Sequence, residues 1–185
     1  MDFFISRKDE SSLDPPLIRG VGAKKIMEEI LELKKCLLNQ EYDRAFAIVE
    51  ELETMGRQDK INNLESFLVI LLIHLIKIQV EKRVTRSWKN SLSNSLLGIQ
   101  KRNRLGKKSH YIKQDEWKEY ISDCQFEAVL GAAKEVFEGM DYRDLEKLVN
   151  FEGLTIVADE LLALTYTKNP REIIDFIDSK FIVGY

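Results

Sequence analysis

The chain contains little that would interrupt a helix. Its 185 residues include only 3 Pro and 9 Gly, two of the prolines adjacent at Pro15 and Pro16, and the β-branched runs that mark strands are scarce. That shortage argues against a sheet-based fold and for an all-α one. Cysteine is equally sparse. Cys36 and Cys124 stand far apart within apolar helical patterns, without the close pairing of a zinc or dithiol motif, and are read as buried free thiols. No apolar run reaches the roughly 20 residues of a membrane-spanning helix; the longest, Phe67 to Val80, is broken by His74 and Lys77. The opening MDFFISRKDESSLDPP passes from Phe3, Phe4 and Ile5 straight into charge, so it does not read as a secretory signal. The expectation is a cytoplasmic protein with no membrane segment.

What is present is an ordinary balance of 44% hydrophobic and 32% charged residues, that of a globular domain long enough for one well-buried core. A polar, proline-bearing stretch over residues 1–20 reads as a mobile N-terminal arm, and residues 21–185 as a single helical domain. Ile26, Ile30, Leu33 and Leu37 recur at helical spacing and predict a first helix over 22–39, with Lys24 and Lys25 four residues before Glu28 and Glu29. The short break NQEYD predicts an antiparallel hairpin with a second helix, whose inward residues are Phe46, Val49 and Leu52 and whose stop is Gly56. Polar residues then give way to Phe67–Ile73, apolar for nearly two turns; a helix with no polar face must be enclosed. Thr85 or Ser87 can cap the next helix, whose inward stripe is Trp88, Leu92, Leu96 and Ile99. After the charged loop KRNRLGKKSH, Trp117, Ile121, Cys124 and Ala128 mark a helix over 115–138. Short helices follow near 142–149, 155–165 and 170–178, the last opened by Pro170 after Asn169. The whole reads as a helical bundle with a long central apolar helix and short C-terminal helices.

No catalytic, metal or nucleotide motif stands out, so an enzyme is not expected and no cofactor or metal is implied. His74 sits in an apolar helix without a second His, Cys or carboxylate at ligand spacing, and reads as a structural, hydrogen-bonded histidine rather than a base or ligand. Glu50, Glu51 and Glu53 spread around a helix and do not converge for acid–base work. RGVGAKK follows no strand and lacks the glycines of a phosphate loop.

Charge is the one anomaly. From Lys77 to Lys113 eleven lysines and arginines face Glu81 alone, a net of +10, which leaves −13 for the rest of a chain whose total is −3. The candidate partner-binding residues are therefore Lys82, Arg83, Arg86, Lys89, Arg102, Arg104, Lys107 and Lys108. Such a cluster can hold phosphates, an acidic protein, or the chain's own acidic helices; aromatic residues are not interleaved with it as single-strand binding prefers.

Within residues 50–88, Glu50, Glu51, Glu53 and Gly56 are followed by Leu71, Leu72, His74, Leu75, Lys77 and Gln79, and then by Arg86, Ser87 and Trp88. That order and spacing resembles the core motif of a bacterial family known as domain of unknown function number twenty-nine: an acidic helix ending in EEIExxG, an apolar helix ending in LLxHLLKWQ, and a basic RSxSW segment. Ile78 stands where the family usually has tryptophan and Lys82 where it usually has proline. The resemblance implies an all-helical bundle, frequent in cyanobacteria and other bacteria, with no agreed activity. It marks Glu51, Glu53, Gly56, His74, Lys77, Arg86, Ser87 and Trp88 as motif residues of unassigned role.

These readings favour a protein–protein interaction module acting through a basic corner on an unknown protein partner. The alternative is a nucleic-acid-binding accessory or antitoxin-like regulator. The feature that separates them is whether the basic residues around 82–89 meet those around 102–108 on one uninterrupted face. The oligomeric state is left open by the sequence.

Overall fold

A computed structural model describes residues 18–106 and 109–182. The expected arm lies outside the described residues, apart from positions 18–20, which open the first helix. The described residues form seven α-helices and one minimal β-hairpin, an all-α fold as the composition predicts.

Helix α1 spans Ile18–Leu38 and α2 spans Tyr42–Glu81, joined by a turn in which Gln40 takes a left-handed φ of 62°. The expected stop at Gly56 is not found; α2 runs unbroken for 40 residues. Glycine costs a helix only about 1 kcal/mol relative to alanine. Gly56 has no positive φ, the conformation of a glycine stop, and the polar segment after it carries good helix formers such as Arg57, Gln58 and Lys60. The glycine coincides instead with the boundary between two compact units, which divide between Met55 and Gly56.

In the first unit α1 and the start of α2 run antiparallel. Lys25 reaches Glu51 at 3.3 Å and Arg44 reaches Glu32 at 2.6 Å. The shared core is small: Cys36, Ala45 and Ile48 are buried, with Leu33 and Leu52 packed against them. Phe46 and Val49, expected to face inward, are exposed. They lie off the arc of α2 that holds Ala45 and Ile48, where only one helix is present to cover them.

In the second unit the rest of α2 is the central element. By length and mean hydropathy, 1.7 over its most apolar window, α2 is capable of crossing a bilayer, yet Leu64, Leu68, Leu71, Leu72, Leu75 and Ile76 all lie in the helical core. Enclosure over 67–73 is incomplete, because Ile70 is 42% exposed. Around α2 are α3 (Arg86–Arg102), α4 (Trp117–Ala133), α5 (Tyr142–Leu148), α6 (Phe151–Thr167) and α7 (Pro170–Lys180). Helix α3 packs on α6 and α7, and α4 on α5 and α6. The predicted stripes on α3 and α4 are buried as expected. At Gly98 a Cβ would lie 2.6 Å from the Phe67 ring, so only glycine fits there without displacing that ring.

The charged loop after α3 is pinned from below. Strands β1 (Arg104–Leu105) and β2 (Ser109–His110) pair antiparallel. Buried Asn103 accepts from the Ile112 amide at 2.8 Å and donates to the Ile112 carbonyl and the Tyr166 hydroxyl, both at 2.9 Å. Trp117 Nε1 donates to the same hydroxyl at 2.6 Å. Asn169 and Glu172 form a capping box ahead of α7, with Pro170 in the first turn as predicted.

Candidate functional site

The basic corner is built where α2 stops. Lys82 adopts a left-handed φ of 55°, which turns the chain out of the helix, and Thr85 accepts the Trp88 amide at 3.2 Å to start α3. Trp88 then faces inward, and two cations stand over its ring: Lys77 Nζ at 4.6 Å and Arg83 Cζ at 5.1 Å from the centroid. The Lys77 side chain, 5% exposed, donates to Glu135 at 2.5 Å, and that glutamate is 55% exposed. Glu81 is the matching buried acid. Its carboxylate, also 5% exposed, accepts from Arg83 Nε at 2.6 Å and from the Phe137 amide at 3.2 Å.

The second bond anchors an unusual turn. Helix α4 ends at Ala133 rather than at 138, because Phe137 and Glu138 take left-handed φ values of 50° and 66° and Gly139 one of 107°. This bends the chain until the Met140 amide reaches the Ala133 carbonyl at 2.9 Å. A left-handed phenylalanine costs on the order of 1–3 kcal/mol and persists only where neighbours fix it. Beside the turn opens a cleft of about 540 Å³, lined by Glu81, Arg83, Glu135, Phe137 and Glu138. It can take a side chain or short segment; among the described residues no group of three or more His, Cys, Asp or Glu side chains is placed to hold a metal ion.

His74 lies one turn before Lys77. The expected hydrogen bond is not found at Nδ1, which is buried with no partner among the described residues. Lys77, the donor next along that face, directs its ammonium at Glu135 instead. Burial first, and then the Lys77 charge, lower the His74 pKa from its ordinary 6.5, while Glu135 pulls it back up. The unfolded chain therefore binds this proton more readily than the folded one. The stability due to neutral His74 is fully present above pH 6.5 and is lost as the pH falls from there through the lower folded value. We expect His74→Gln to flatten the urea midpoint against pH in that window; a slope identical to that of the parent protein would disprove the assignment.

The basic residues do not share one face. Lys82, Arg83 and Arg86 are exposed at the start of α3, while Lys89 is bonded to Asp178 at 2.5 Å. Lys101 and Arg102 are exposed in the last turn of α3 and Arg104 just beyond it, Arg102 lying over the Phe67 ring at 4.6 Å. Arg86 and Arg102 open and close α3, a separation of roughly 24 Å at 1.5 Å per residue. The exposed positions between them include Asn90 and Asn94, which carry no charge. Lys107 and Lys108 lie outside the described residues. Of the motif residues, His74, Lys77 and Trp88 gather at the corner, with Arg86 and Ser87 exposed at the start of α3. Glu51 and Glu53 belong to the first unit, where Glu51 pairs with Lys25.

Sequence reasoning did not find Glu135 or Phe137, which no motif or period connects to residue 77. Glu81 did leave a signal, as the sole carboxylate in a stretch of eleven cations.

The family model described as Domain of unknown function DUF29 matches residues 26–138, more than half of the chain, and the chain belongs to that family. No curated protein and no solved structure matches it. The matched span ends at Glu138, so Lys77, Glu81, Trp88, Glu135 and Phe137 lie inside it, whereas Asp178, the partner of Lys89, does not.

Proposed function

We propose that this member of the DUF29 family is a cytoplasmic protein–protein interaction module that takes an acidic segment of a partner protein at the Trp88 corner. The observation that carries the reading is how the corner's charge is disposed. Lys77, Arg83 and Lys89 already hold carboxylates. That leaves Lys82 and Arg86, exposed between the end of α2 and the start of α3, without an acidic partner among the described residues, and the next such basic group lies a helix length away. Two exposed cations one helical turn apart in sequence suit a pair of acidic side chains. A phosphate backbone is better served by a continuous row, since its affinity grows with the number of contacts.

The experiment measures binding of a labelled Glu-rich peptide and of labelled DNA and RNA across a salt series. The peptide is expected to bind and to be lost in the Lys82→Glu, Arg86→Glu double variant, with helicity retained by circular dichroism. Nucleic acid is expected to bind no tighter than about 10⁻⁶ M at physiological salt, the level of non-specific electrostatics. A nanomolar, salt-sensitive nucleic-acid complex abolished by the same two reversals would establish the alternative reading, a nucleic-acid accessory.

A further inference from the structure

The hairpin of the first unit has two unlike flanks. On one flank α1 and α2 are tied by Lys25 to Glu51 and by Glu32 to Arg44. By the 3.6-residue period, the other flank carries Ile30 and Leu37 from α1 and Tyr42, Phe46 and Val49 from α2. All five are exposed, from 36% at Val49 to 68% at Phe46. Among the described residues the hairpin's own core holds three buried side chains, and a structure of this size seldom sustains itself without a further layer. A face of this kind marks an interaction site.

We infer that this apolar flank is the interface of a homodimer, in which two hairpins pair into an antiparallel four-helix bundle. Both helices contribute, so a twofold axis parallel to them lays α1 of one copy on α2 of the other. The two ion pairs fix the register within a hairpin: Lys25 is level with Glu51 and Glu32 with Arg44, which puts Ile30 level with Phe46. The twofold keeps those levels, so Ile30 of each copy meets Phe46 of the other. It also brings Lys34 level with Asp43 of the second copy, at the edge of the same seam. Neither residue has an ion-pair partner among the described residues, and opposite charges there make the patch complementary to itself. An apolar stripe at the centre and opposite charges at its edge are the pattern of a helical bundle seam. The inference rests on residues of the first unit alone and is independent of the function proposed for the Trp88 corner.

Sedimentation of the full chain over a concentration series tests the inference. A species of twice 21.6 kDa is expected in the parent protein. Phe46→Glu should raise its dissociation constant by roughly 100-fold or more, since the charge is buried at both symmetry-related contacts, while Glu51→Gln on the opposite flank should leave it unchanged. A monomer at all concentrations, or a dimer indifferent to Phe46→Glu, would overturn the proposal. Charge reversal guards against a variant that simply unfolds. Lys34→Glu and Asp43→Lys should each weaken the dimer several-fold, and their equimolar mixture should restore it. A mixture no tighter than its components would reject this pairing of the helices.

Discussion

Leu72→Ala is expected to lower the free energy of unfolding by about 2–5 kcal/mol. Leu72 is fully buried on α2 among Leu68, Leu71, Leu75 and Ile76, in the core that also holds Leu92, Leu96 and Ile99 of α3. Truncation removes the transfer free energy of the lost carbons and leaves a cavity that surrounding helices, packed on several sides, cannot close. Leu71→Ala should behave alike. Ile70→Ala provides the internal contrast, because Ile70 is half in solvent and alanine is the better helix former; its cost should stay below about 1 kcal/mol. Tryptophan fluorescence in urea is the suitable signal. Trp88 and Trp117 are the chain's two tryptophans, and both lie in the unit that contains Leu72. A cost under about 1 kcal/mol at both Leu71 and Leu72 would contradict the central role of α2.

The helices were legible where a period and a cap coincided. The α3 stripe, its Thr85 cap and the Asn169–Pro170 start of α7 were readable because each depends on residues within one turn of one another. Gly56 misled because a propensity of about 1 kcal/mol is a weak prior that its context readily overrides. Phe46 and Val49 are apolar at helical spacing, and that periodicity cannot say whether a second layer is present to cover them. The candidate site was half legible. Lys77, His74 and Trp88 were marked by resemblance and Arg83 by charge, but what gives the corner its character is long-range: Glu135 stands 58 positions from Lys77, and the Phe137 amide 56 from Glu81. Counting charge along the chain left open whether the basic residues meet on one face. In space the same residues form two groups, because the 17-residue α3 stands between them.

The Lys77–Glu135 pair at the corner should respond asymmetrically to removal of its two members. Lys77 is nearly inaccessible, whereas Glu135 is more than half in water. Glu135→Leu strands an ammonium among Trp88 and the aliphatic part of α2 with no carboxylate to accept its hydrogen bond. A charge left unpaired in so inaccessible a place costs free energy. Loss of one member of a fully buried pair costs about 3–5 kcal/mol; the exposed side of Glu135 lets water in, and a cost of about 2–3 kcal/mol is expected. Lys77→Met removes the buried charge and keeps the chain's length and its contact with the Trp88 ring, while the glutamate left behind is solvated. Its cost should stay below about 1.5 kcal/mol. Urea unfolding of both variants and of the double variant, monitored by tryptophan fluorescence, decides the matter. In the double variant the cost of Glu135→Leu should largely vanish, because no charge remains to be stranded. Equal costs for the two single variants, or a double variant no better than Glu135→Leu alone, would mean that Lys77 is held by its packing on Trp88 rather than by the carboxylate. The corner would then owe its shape to Trp88 and the Glu81-anchored turn alone.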